Sequence, residues 1–130
     1  MQRHLLLCLV LILGVVLAGS FSPLAAQEES CSPNASVESC FGVLGSQIEM
    51  ALANGGIDNA GIAESLMQKL QGAYDAYMAG HHEAAMGHVM AFNNEVMAQS
   101  GKHIMEDVAM MLMMGADTLM GLLAPSPMPN

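Results

Sequence analysis

From Val43 to Leu123 apolar residues recur every three or four positions, and no stretch alternates with the two-residue period of a strand. A chain patterned in this way folds into helices that each bury one stripe. The first, about Val43 to Asn54, ends at Asn54-Gly55-Gly56, a C-cap and turn signal. Asp58 or Asn59 can cap a second helix running to about Ala79, closed by Gly80. Its Ile62, Ala63, Leu66, Leu70, Ala73, Tyr74 and Tyr77 fall within about 120° of one another. A third helix, about His82 to Ser100, carries Ala85, Val89, Phe92 and Val96 on a narrow stripe and stops at Ser100-Gly101. The fourth, about His103 to Leu123, turns Ile104, Val108, Leu112, Ala116, Leu119 and Leu122 inward, before Ala124-Pro125-Ser126-Pro127 ends it. Connections this short dictate sequential antiparallel packing. The expected fold is all-α, a small antiparallel bundle of about four helices.

Ahead of the helices, Arg3 and His4 precede an unbroken apolar run from Leu5 to Ala18, then small residues and Pro23-Leu24-Ala25-Ala26 before Gln27-Glu28-Glu29. This three-part form predicts a secretory signal peptide over residues 1–26, with cleavage after Ala26 preferred over Ala18 or Ser20. The run is shorter than the roughly 20 apolar residues a membrane span needs, which makes a retained anchor the weaker alternative. No membrane insertion is expected once the leader is gone, and the expected location is secreted or periplasmic. Ser20 stands where a bacterial lipoprotein would need its cysteine, excluding lipidation there. Losing Arg3 leaves Lys69 and Lys102 against 12 carboxylates, a formal charge of −10. Such a surface cannot neutralise phosphates, which excludes nucleic acid and anionic membranes as partners.

Cys8 departs with the leader, so Cys31 and Cys40 remain in a context that permits disulfides. They are expected to pair, because Ser32-Pro33-Asn34 between them is turn-prone. On the chain-entropy model so short a loop contributes about 2.5 kcal/mol. That contribution is expected to act locally, since both cysteines precede the helical region. A metal site on the pair is the alternative, although the spacing matches no standard zinc motif. Residues 27–42 are thus expected to form a disulfide-bearing linker, 43–123 the helical domain and 124–130 a Pro-rich disordered tail. Asn34-Ala35-Ser36 fits the N-glycosylation pattern, which carries meaning only in a eukaryotic source.

The methionines need an explanation of their own. Residues 27–130 hold 13 of them, against 21 Ile, Leu, Val, Phe and Tyr combined. On the third helix His82, Met86, Met90 and Met97 lie within about 80° of one another, beside the Phe92 stripe and with Asn93 in the same sector. On the fourth, His103, Asp107, Met110 and Met114 share about 60°, opposite Leu112 and Leu119. Thioethers and imidazoles suit Cu(I) or Ag(I), and ligands three or four positions apart on a helix can converge on one ion. His82, Met86, Met90, Met97, His103, Met110 and Met114 are therefore candidate soft-metal ligands, although no cofactor is required. The competing explanation is flexible apolar filler whose surplus packs on a partner or a second copy. A third is a sacrificial sink for oxidants, since thioethers oxidise to sulfoxides.

Other polar residues offer less chemistry. His81-His82-Glu83 suit a solvated helix start, with zinc or Cu(II) as the sharper alternative; His88 stands alone, and Tyr74 and Tyr77 are expected to turn their hydroxyls to water. Glu106 and Asp107 are adjacent and so face different ways on a helix, which argues against an acid/base pair. The chain has no phosphate loop, nucleophile elbow or HExxH motif, and no enzyme is expected.

From Gly56 to about Leu123 the sequence resembles the FIMAH domain, a small all-helical module usually found at the C-terminal end of larger secreted bacterial proteins. The resemblance rests on Gly56-Ile57, Asn59-Ala60-Gly61-Ile62-Ala63, Ser65-Leu66, Lys69-Leu70, Ala73, Gly80, Ala85, Ala91-Phe92, Asn94, Val96, Ala98-Gln99-Ser100-Gly101-Lys102, Ile104, Ala109, Leu112, Ala116-Asp117 and Leu119. It implies an accessory or interaction domain without catalytic residues. Asn93 departs from the family, which tends to be aliphatic there, and the module here follows only the leader and the cysteine-bearing segment. The function expected is an exported, non-enzymatic module that binds a protein or a surface; the alternative is Cu(I) or Ag(I) sequestration at the cell envelope. A bundle of about 80 residues is near the limit of what one core stabilises, so self-association through the methionine-bearing faces is also expected.

Overall fold

The computed structural model describes residues 30–125. The leader expected over residues 1–26 and the tail beyond Pro125 lie outside the described residues. Four helices follow in order: α1 Val37–Ala53, α2 Ala60–Met78, α3 His82–Gln99 and α4 Glu106–Leu123. Each packs against its neighbour in sequence, and α4 closes the ring against α1, as an antiparallel four-helix bundle requires. No helix among the described residues is long and apolar enough to cross a membrane.

The stripes read from the sequence form the core. Leu66, Leu70, Val89, Phe92, Val96, Leu112 and Leu119 are all buried. Asn59 caps α2, its Oδ1 accepting from the N–H groups of Gly61 and Ile62. Gly80 ends α2 in a Schellman turn with φ 79°, its N–H donating to the Tyr77 carbonyl while His81 N–H donates to that of Ala76.

Helix α1 starts six residues earlier than expected. Ser36 caps it, with Oγ accepting from Ser39 N–H at 3.1 Å. The extra turns continue the stripe backwards through Cys40 and Phe41, both buried, with Val37 packed at the core's edge. Cys40 lies in the helix and not in the expected linker because a half-cystine is also an apolar side chain and here fills a core position. Cys31 and Cys40 do pair, with Cα atoms 4.8 Å apart, but the link is not local. Cys40 is fully buried, with its sulfur 3.9 Å from the Gly115 carbonyl oxygen of α4. A Cβ on Gly115 would stand 2.7 Å from Leu44 Cδ2 and 3.9 Å from Cys31 Cβ. The disulfide therefore anchors the segment before α1 over the close α1–α4 contact that Gly115 permits.

Helix α4 starts three residues later than expected, at Glu106. The preceding residues form a connection that pairs with the α1–α2 connection. Asp58 N–H donates to the His103 carbonyl at 3.0 Å, and Met105 N–H to that of Gly56 at 2.8 Å. The pairing buries Ile57 and Ile104 at one end of the bundle. Ile104 is thus a core residue supplied by a loop, and Ala109, Gly115 and Leu123 join Leu112, Ala116 and Leu119 on the inner face of α4.

Candidate interaction surface

Helix α3 is held differently on its two flanks. Towards α2, Glu95 Oε2 pairs with Lys69 Nζ at 2.6 Å and accepts from Ser65 Oγ at 2.9 Å, while Lys69 also donates to Ser65. Towards α4, Asn93 Nδ2 donates to Asp117 Oδ1 at 3.0 Å, and Asn93 Oδ1 is buried without a partner. This places Asn93 on the α3–α4 seam, facing a carboxylate.

The methionines gather around that contact. Met90 and Met97 lie three positions before and four after Asn93, and Met86 seven before; Met110, Met113 and Met114 precede Asp117 by seven, four and three, and Met120 follows by three. Helical spacing puts these residues on the same side as the two hydrogen-bonded side chains, one turn along at three or four positions and two turns along at seven. Met86, Met113 and Met120 are partly buried and packed against the core. Met90, Met97, Met110 and Met114 instead leave 53 to 66% of their surface in solvent. Of the nine large apolar side chains exposed among the described residues, eight are methionines.

The two candidate histidine ligands differ in placement: His82 opens α3, one turn before Met86, and His103 lies off α4. His82 sets its ring against Tyr77, with centroids 5.7 Å apart. His103 is not on α4 at all. It belongs to the α3–α4 connection, where its Nδ1 stands 2.8 Å from Asp58 Oδ1. The expected shared sector of His103, Asp107, Met110 and Met114 thus keeps only the last three on one helix. Among the described residues no three His, Cys, Asp or Glu side chains converge as a metal site would require.

Two further features were not legible in advance. Tyr77 does not merely point to water, since its hydroxyl donates to Glu38 Oε1 at 3.1 Å across the α1–α2 seam. The Glu38 carboxyl is held below its ordinary range, first by its own backbone N–H in the first turn of α1 and next by the Tyr77 hydroxyl. The Tyr77 hydroxyl is correspondingly pushed up by the Glu38 carboxylate. Beside this pair an apolar hollow of about 320 Å³ lies between α1 and α2, lined by Phe41, Gly42, Gly45, Met67, Leu70 and Tyr74 among others.

No curated protein and no solved structure matches the chain. The family model of the FIMAH domain matches residues 41–121. That match takes in most of α1 as well as α2 to α4, so it reaches further towards the N-terminus than the resemblance that began at Gly56. Helices α2 and α3, most of α1 and α4, the paired connections and the α3–α4 seam fall within it, and the chain belongs to the FIMAH domain family.

Proposed function

We propose that this protein is an exported, non-enzymatic interaction module whose α3–α4 face binds a protein partner. The observation that carries the reading is the exposure of Met90, Met97, Met110 and Met114 on helices whose core positions are already filled by Phe92, Leu112 and Leu119. Unbranched thioethers adapt to irregular partners, and surfaces rich in them serve as binding faces. Export is supported by the Cys31–Cys40 disulfide, which persists in oxidising compartments. A photoreactive methionine analogue incorporated in the producing cells tests the reading. Protein adducts at Met90, Met97, Met110 or Met114 are expected, and a set of adducts confined to solvent would overturn it.

A second reading, capture of Cu(I) or Ag(I), is favoured by the same four thioethers standing open to solvent. An anaerobic titration of Cu(I) against a coloured chelator separates the two. Stoichiometric uptake abolished by Met110→Leu together with Met114→Leu supports a metal role. Absence of uptake leaves these side chains to packing and contact.

A further inference from the structure

We infer that the occupant of the α3–α4 seam is a basic amphipathic helix of a partner protein, an inference that rests on the interaction reading above. Three observations carry it. The seam carries methionines on either side of the Asn93–Asp117 pair: from Met86 to Met97 they span eleven residues along α3, about 16 Å or three turns of a helix. Its length suits a helix that seats anchors at i, i+3, i+4 and i+7.

The two helices that form the seam carry Asp and Glu and no Lys or Arg. Glu83 on α3 and Glu106 and Asp117 on α4 are all exposed. Lys69, one of two lysines among the described residues, is spent on Glu95 at the opposite flank of α3. Lys102, the other, sits in the connection beyond α3 with its Nζ donating to the Ala98 carbonyl. Apolar thioethers framed by carboxylates complement a partner with an aliphatic face and lysine or arginine margins. A second copy would bring an equally acidic surface to the contact, which charge repulsion disfavours.

The third observation is how the two helices are joined at this seam. Across it they share the single Asn93–Asp117 hydrogen bond, while Asn93 Oδ1 lacks a donor. Asp117 is exposed and keeps a free oxygen. A guanidinium or ammonium group at the margin of an incoming helix can reach it while its leucines cover Met90 and Met97.

The test uses the purified, disulfide-formed protein with methionine methyl groups labelled for NMR. The probe is a synthetic peptide of about 18 residues, five turns of helix with leucine on one face and lysine on the other. Binding is expected to shift the methyls of Met90, Met97, Met110 and Met113 and to leave those of Met50 and Met78 in place. Replacing both Met97 and Met110 by glutamine should weaken the peptide about tenfold, and raising the salt from low to molar concentration should weaken it further. Because the methyl map needs no variant, it decides even where a substitution disturbs folding. The proposal is overturned if the peptide does not bind or if Met50 and Met78 shift equally. It is also overturned if a leucine–glutamate peptide binds as tightly. Seam shifts that depend on protein concentration alone would make a second copy the occupant, overturning the basic partner while preserving the interaction reading. Seam methyls that answer to Cu(I) and to no peptide would remove both.

Discussion

On its α2 flank α3 sets Glu95 against Lys69 and Ser65, a three-membered polar lock that leaves the ion pair mostly covered. On its α4 flank it sets Asn93 against Asp117 and leaves Met90 and Met97 in solvent. Both flanks border the same buried row of Ala85, Val89, Phe92 and Val96. The difference therefore does not come from the core, which serves the two seams alike. One seam is completed by groups of this chain and the other is left with apolar surface and an unanswered amide oxygen. A helix can be equally well buried on its inner face and still offer only one of its shoulders to a partner.

The strongest way to break the comparison is to remove what both flanks share. Phe92→Ala is expected to destabilise the bundle by about 3 to 5 kcal/mol, the transfer and cavity terms together. Urea unfolding monitored by circular dichroism measures it, and loss should appear at both seams at once. Next in size is the α1–α4 closure. Opening the disulfide with Cys31→Ser should lower stability by about 2.5 kcal/mol. Since Cys40 lies under Gly115, amide exchange should rise in α4 as well as in α1. An effect confined to residues before α1 would return the disulfide to a purely local role.

The two flanks themselves respond in opposite directions. Lys69→Met strips the partner from a mostly covered Glu95 and is expected to destabilise by about 1 to 2 kcal/mol. Asn93→Leu removes the buried oxygen that has no donor, while the exposed Asp117 recovers water in place of the amide. It should stabilise by about 0.5 to 1 kcal/mol. Equal losses from the two substitutions, measured by the same urea titration, would mean that the α4 flank is as complete as the α2 flank.

Much of this arrangement was legible in the sequence, for a definite reason. A core stripe is periodic, so Leu66, Leu70, Ala73, Val89, Phe92, Leu112 and Leu119 could be assigned from spacing alone. Gly55, Gly80 and Gly101 marked the connections because each carries a positive φ, between 71° and 79°. Cys40 is not legible as part of the stripe because a half-cystine serves two roles, and its spacing to Cys31 signals the staple more plainly than the core position. The pairing of Gly56, Ile57 and Asp58 with His103, Ile104 and Met105 is a tertiary hydrogen-bond pattern between two loops about 45 residues apart in sequence. It has no local signature, and the helical spacing of the apolar residues runs on through His103 although the helix itself starts only at Glu106. For the methionine surface, spacing separated core-lining from outlying side chains. It did not show that Asn93 and Asp117 draw two of those outlying groups to a single seam.

The α1–α2 seam offers the smallest test, because it too is closed by a side-chain contact, but one in water. Tyr77 Oη donates to Glu38, and neither group is buried, so the contact should be felt through pH rather than through overall stability. Glu38 has a lowered folded pKa, so its contribution is complete above the ordinary carboxylate value of 4.5 and fades as pH falls through the lowered value. Tyr77 has a raised folded pKa, so its contribution is complete below about 10 and is lost as pH rises through the raised value. Tyr77→Phe should abolish the alkaline loss outright. It should leave much of the acid loss in place, because the largest influence on Glu38 is its own backbone N–H in the first turn of α1. Thermal unfolding of both proteins from pH 3 to 11 resolves the two limbs. If Tyr77→Phe flattened the acid limb as fully as the alkaline one, the hydroxyl rather than the helix start would govern Glu38. The α1–α2 seam would then be locked from α2, as the α2–α3 seam is locked by Lys69.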